Sequence, residues 1–393
     1  MKRILTFIVK PYGIVAFTIF TSYIMWEFPG FDGSIRKGFN IPFDISSIGA
    51  LLCGVWVITV IGLAYCGFKT GISLKIDTKI INNRASIDNI RPYMIISILT
   101  YVGIAFVALQ LFGSLGISGI VTAITGGQAN TLKNTLYSDY SAGIASLRYL
   151  AIPSAALALY HLTRKRFIAL SLLNILALAV VAIISSRLSI IFTIFTFLPL
   201  VLNNSKVKLK FYHVLIATVV IFHILAALNY SRNINFYRMI GIDNFYLAGF
   251  SEIVTYVGSP FQGFLAAGTL MNSLYMASDI DSSIKTGISF ELSTNSAFLE
   301  LVKSDGIMEA FVKIAFFSLV GSFIMGISFK NRQNILFLLF GSIGYCFAEV
   351  WRVFLFGQGI VYTISTMVVF TAIWCVYIPP VRADFYKLKR SPS

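Results

Sequence analysis

The sequence predicts an all-α polytopic membrane protein, and three observations carry that prediction. Of 393 residues, 57% are hydrophobic and only 12% are charged, against about 25% charged in an ordinary soluble domain. The apolar residues gather into repeated runs of about 20, the length that carries a helix across a hydrocarbon core roughly 30 Å thick. Lysine and arginine collect in short segments at alternate ends of those runs. Within lipid such runs must be helical, because each backbone N–H and C=O needs an internal partner.

Taken in order, span one is Ile4 to Trp26, where Lys10 beside Pro11 can snorkel toward headgroups. It is too long for a signal h-region and no small-residue cleavage site follows, so a retained anchor is expected. Span two is about Ser47 to Phe68, and the basic segment Lys69 to Arg91 leads to span three, about Pro92 to Gly113. The Gly/Ser/Thr-rich stretch from Gly113 to Tyr140 is too polar to cross and reads as a surface helix or a re-entrant loop. Span four, about Ala142 to Leu162, carries Arg148 one or two turns inside its outer end and stops at Arg164-Lys165-Arg166.

From Phe167 to Leu202 the chain is apolar except at Ser185-Ser186-Arg187. As one helix this stretch would be about 54 Å long at 1.5 Å per residue, so two spans folded back at Arg187 are expected. Span seven is Phe211 to Leu228, followed by a large loop at about 229–305. Spans eight to ten are about Gly306 to Phe329, Ile335 to Val350 and Gly359 to Ile378. The expectation is a single integral membrane domain over 1–393 with about ten transmembrane helices.

Ten spans place both termini on one side, and assigning that side as cytoplasm gives it 20 Lys/Arg against Asp77, Asp88 and Asp384, a net +17. The remaining 11 basic and 13 acidic residues give −2, which is the positive-inside bias and accounts for the overall +15. The basic residues are spread over six short segments without a nucleic-acid-binding motif, so no nucleic acid is expected as a partner. Cys53, Cys66, Cys346 and Cys375 lie singly in apolar runs and read as core residues. His161, His213 and His223 form no ligand spacing, and no Gly-rich phosphate loop, nucleophile elbow or Walker motif occurs, so neither metal nor cofactor is expected.

On this topology Arg148, Arg187, Arg232, Arg238 and Arg352 fall at or beyond the outer interface, against the charge bias. Each can contact a phospholipid phosphate or a neighbouring carboxylate, and several together can hold a pyrophosphate, because guanidinium donors match phosphate oxygens bidentately. Glu309 and Lys313 stand at i, i+4 and read as an ion pair. Glu349 and Arg352, one turn apart, read equally as an ion pair or as functional groups. Glu252 lies in Phe250-Ser251-Glu252-Ile253-Val254-Thr255-Tyr256, which reads as an amphipathic loop helix, and is a candidate base among several acids. Tyr230 and Tyr256 complete the candidate substrate-binding set with Arg148 and Arg352.

The layout resembles bacterial O-antigen and oligosaccharide repeat-unit polymerases. The likeness rests on the apolar hairpin turning at Ser185-Ser186-Arg187, the late loop carrying Arg232 and Arg238, the Tyr256-Val257-Gly258-Ser259-Pro260-Phe261-Gln262 segment, and Asn295-Ser296-Ala297-Phe298 through Asp305-Gly306. It implies a glycosyltransferase related to the C-type membrane fold, acting at the periplasmic face of the inner membrane on undecaprenyl-pyrophosphate-linked oligosaccharide. It further implies Arg187, Arg232 and Arg238 on the pyrophosphate, Glu252 as base, and a chain-length regulator protein as a partner beside the lipid bilayer. An O-antigen ligase shares the layout, but that resemblance leads one to expect a histidine in the outer loop, and none occurs between Asn229 and Asp305. A lipid-linked oligosaccharide flippase is the alternative without chemistry.

Overall fold

The computed structural model describes residues 2–27, 47–74, 84–125, 129–138, 143–184, 188–203, 211–239, 241–275, 278–288 and 296–378. Among these residues there is no strand, only an isolated bridge between Ser86 and Asn334. The helices are α1 (Lys2–Ile8), α2 (Pro11–Glu27), α3 (Ser47–Ser73), α4 (Ile90–Thr125), α5 (Ala129–Ser138), α6 (Ala151–Thr163), α7 (Ile168–Ile184) and α8 (Leu188–Asn203). They continue as α9 (Phe211–Met239), α10 (Phe245–Leu274), α11 (Asp279–Thr286), α12 (Ala297–Asp305), α13 (Ile307–Lys330), α14 (Leu338–Glu349) and α15 (Gly359–Tyr377). By length and composition α3, α4, α13 and α15 can cross a membrane, and shorter apolar helices cover Ile168–Ile184, Leu188–Asn203, Thr218–Ala227 and Ile335–Glu349. The chain is an all-α protein of membrane character.

Several expected boundaries move. The 36-residue α4 runs past Gly113 and is broken at Gly116, whose φ of 65° only glycine adopts freely, so the Gly/Ser/Thr-rich stretch begins as helix. Separate helices α7 and α8 flank Ser185-Ser186-Arg187, which lie outside the described residues. The helix expected to stop at Leu228 continues to Met239, so Tyr230, Arg232 and Arg238 belong to α9. Most consequentially, α10 is a 30-residue helix, with Pro260 inside it, where a loop was expected.

Helices in lipid gain little from burying apolar side chains against one another, since acyl chains are equally apolar; close packing and hydrogen bonds must hold them. The seam between α3 and α13 shows the first. Gly67 and Gly71 stand one turn apart, and a Cβ on Gly71 would lie 2.2 Å from the Phe323 carbonyl oxygen and 3.0 Å from Gly326 Cα. The join of α4 to α7 shows the second: the Asn174 amide donates to the Tyr93 hydroxyl and to Ser97 Oγ, both at 2.9 Å.

The described parts of the basic segments meet at one end of the bundle. Lys330 Nζ donates to the Leu74 carbonyl at 2.5 Å, Arg84 to the Val376 carbonyl at 2.6 Å, and Arg332 to Asn203 Oδ1 at 3.2 Å. Asp88 pairs with Arg164 and accepts from the Tyr160 hydroxyl at 3.2 Å. At the other end α10 lies across the last turns of α2 and the first of α3. Ser22 Oγ donates to the Val257 carbonyl at 2.5 Å, and a Cβ on Gly268 would meet Cys53 Sγ at 2.2 Å. The buried Gln262 accepts from the Trp26 indole at 3.3 Å and donates to the Thr286 carbonyl at 2.7 Å. Beneath it Phe264 packs on Trp56 and Trp351, with ring centroids at 4.7 and 4.5 Å.

Candidate functional site

The chemistry-bearing residues gather where α9 meets α10. Gly241, at φ 73°, turns the chain between them, and Asn244 caps α10 by accepting from the Tyr246 and Leu247 backbone N–H groups at 2.8 and 3.2 Å. This folds α10 back along α9, where Gly249 allows contact with Ala226. Glu252, two turns into α10, then faces Tyr237 on α9, whose hydroxyl donates to Glu252 Oε2 at 2.5 Å. Tyr237 is 1% exposed and stacks on Tyr230, one face of α9 earlier, with centroids 6.1 Å apart and planes at 20°. Arg238, next in the chain, is exposed and has no ion-pair partner among the described residues. The Arg232 backbone lies in the same helix. Arg187 lies outside the described residues.

One turn beyond Glu252, Tyr256 lies under Arg352, with the guanidinium 5.4 Å from the ring centroid. Arg352 Nε and Nη2 both reach Glu349 Oε2 at 2.6 Å, and the two side chains are 11% and 10% exposed. Burial alone would pull the Arg352 pKa down; Glu349, with Tyr345 and Tyr256, more than offsets this and holds it above its ordinary value. Of the two readings for this pair, the ion pair is the one the side chains make. Arg352 therefore sits beside the candidate base through Tyr256 with its charge already matched.

Arg148 stands apart. It lies in a 3-10 helix, Ile144–Leu150, packed against α4 and α15, and its hydrogen bonds go to Ala145 and Tyr149 within that turn. Its backbone abuts Gly103, thirteen residues into α4 from Ile90. Arg148 and Arg352 have different neighbours, Ala145 and Tyr149 for the first, Glu349 and Tyr256 for the second. Lys313 also differs from expectation. It pairs with Asp305 at 2.7 Å rather than with Glu309, because Gly306, at φ 82°, breaks the chain between α12 and α13 and sets Asp305 over the first turns of α13.

Sequence reasoning missed Tyr237. Its signal was the seven-residue spacing from Tyr230, which puts both rings on one helix face once 229–239 is read as helix. Cys53, Cys346 and Cys375 are buried and unbridged, and Cys66 is exposed. Among the described residues no three His, Cys, Asp or Glu side chains gather around one point.

The chain matches no family model, no curated protein and no solved structure. What it does must therefore be argued from the groups just described.

Proposed function

We propose that the protein is a polymerase of bacterial surface polysaccharide, joining undecaprenyl-pyrophosphate-linked oligosaccharide repeat units at the periplasmic face of the inner membrane. The topology is the ten-span one, with both termini cytoplasmic. The meeting of the basic segments at one end of the bundle supports it, as does the Glu252 group lying where α10 covers the opposite end of α2 and α3.

The observation that carries the reading is the Tyr237–Glu252 pair with exposed Arg238 beside it, in the late segment that is one of those the polymerase resemblance rests on. Glu252 takes the proton of the acceptor hydroxyl as its oxygen attacks the anomeric carbon of the donor. The bond from that carbon to the pyrophosphate breaks, and the electron pair leaves with the pyrophosphate. Arg187, Arg232 and Arg238 stabilise the departing charge. Arg352 supports the wall of the site through Tyr256.

The absence of histidine between Asn229 and Asp305 weighs against the ligase. One observation favours the flippase: Arg148 packs against Gly103 inside α4, and transporters commonly place ionisable groups within their membrane helices. Purified protein incubated with one lipid-linked repeat unit separates the readings. A ladder of longer products is expected; transport without elongation would establish the flippase instead. Alanine at Arg187, Arg232 or Arg238 is expected to abolish long chains while the protein still inserts, and normal ladders in all three variants would remove the anion-site mechanism. Lysine at these positions should restore activity only in part.

A further inference from the structure

Among the described lysines and arginines Arg148 is the most buried, at 7% exposure. Its Nη1 donates to the Ala145 carbonyl at 2.8 Å and its Nη2 to the Tyr149 hydroxyl at 2.9 Å, while Nε is buried without a partner. Both acceptors are neutral. The helices that enclose it, α4, α6 and α15, contain no aspartate or glutamate. Every ion pair among the described residues lies elsewhere. A cation removed from water without a counter-charge is among the costliest arrangements a protein can hold.

The fold nonetheless places it there on purpose-built contacts. A Cβ on Gly103 would come within 2.3 Å of Arg148 N, so that glycine admits the 3-10 turn against α4. Gly103 is roughly 20 Å from the Ile90 end of α4 at 1.5 Å per residue. Because the guanidinium reaches back to Ala145, it points away from the end that holds Asp88 and Arg164. The Arg148 guanidinium carbon lies over the Tyr149 ring, 4.4 Å from its centroid. Three N–H groups remain free, and a phosphate, with several oxygens on one centre, can accept from more than one of them through separate oxygens, the geometry the planar fork matches. Ile144, 51% exposed, opens the first turn of this segment to its surroundings.

We propose that Arg148 receives a phosphate oxyanion, carried on a lipid headgroup or free, at a site separate from the Glu252 group. The site does not depend on the polymerase reading. The ligand supplies the charge that α4, α6 and α15 withhold, and Tyr149 sets the orientation in which it is bound.

The test uses the full-length protein in detergent, exchanged free of lipid and phosphate, with thermal unfolding followed as inorganic phosphate or phosphatidylglycerol micelles are added. Wild type is expected to gain a saturable rise in midpoint with at least one probe. A response to both marks the headgroup phosphate as the recognised part; a response to phosphatidylglycerol alone marks a site that reads the lipid as a whole. Arg148→Gln should lose the response, and Arg148→Lys, which keeps the charge without the planar fork, should bind about tenfold more weakly. If Arg148→Gln does not fold, the lysine variant decides: unchanged binding overturns the proposal. Failure of both probes to shift wild type overturns it as well. So does a wild type that ignores both probes while Asp139→Asn responds, which would make Asp139 the counter-ion.

Discussion

Arg352 and Arg148 are set in closely similar surroundings. Each occupies a short non-α segment at a helix end, each is largely buried, and each lies over a tyrosine ring, Tyr256 at 5.4 Å and Tyr149 at 4.4 Å. They differ in one respect, that Glu349 spends a carboxylate on Arg352 and nothing among the described residues does so for Arg148. Local geometry therefore does not decide what a buried arginine is for. The counter-charge does: Arg352 is neutralised from within and becomes part of the frame, whereas Arg148 is left for something brought from outside.

Breaking the matched region should cost most. Glu349→Ala leaves Arg352 buried and unpaired, with an expected loss of about 3–5 kcal/mol in unfolding free energy. A loss below about 0.5 kcal/mol, the range of an ordinary surface change, would show that the two arginines were never different. Next comes the seating of the unmatched region. Gly103→Leu forces a side chain into the Arg148 backbone and should cost about 1–3 kcal/mol. Asn244→Ala removes the cap that folds α10 back on α9, at about 1 kcal/mol, and serves as a calibration away from both arginines. Smallest is the double change Glu349→Leu with Arg352→Met. Replacing a buried pair by apolar side chains is often neutral, so a net change near zero, within about 1 kcal/mol, is expected by denaturant titration. A large loss in the double variant would mean that Arg352 contributes more than a self-contained pair.

How much of this was legible in the sequence depends on which physical signal each element carries. The runs that became α3, α13 and α15 were plain, because length and apolarity are all a lipid-facing helix needs. The two helices flanking Ser185-Ser186-Arg187 were legible from the length limit alone. By contrast most of α10 was hidden. Ser251, Thr255, Ser259 and Gln262 are all buried and lie on one face, so the helix packs through a stripe of small and polar side chains. The amphipathic pattern over 250–256 gives one short helix within a loop, and the rest of α10, without an apolar stripe, reads as loop. The same blindness concealed the Tyr237–Glu252 pair, since neither residue announces a partner on another helix. The Glu349–Arg352 pair was visible because three residues on a helix is a short-range signal. Arg148 was visible as a residue, but its lack of a carboxylate is a property of α4, α6 and α15 together and has no local trace.

Pro260 brings one more consequence. Without an N–H it cannot donate to the Tyr256 carbonyl, so α10 lacks a backbone bond just where its two halves divide. The half beyond the proline is bolted down by Gln262, by Gly268 on Cys53 and by Phe264 on Trp351. The half before it carries Glu252 and Tyr256 and leans on α9. The proline thus divides α10 into a part seated on the aromatic floor and a part that sets Glu252 against Tyr237 of α9 and Tyr256 beneath Arg352.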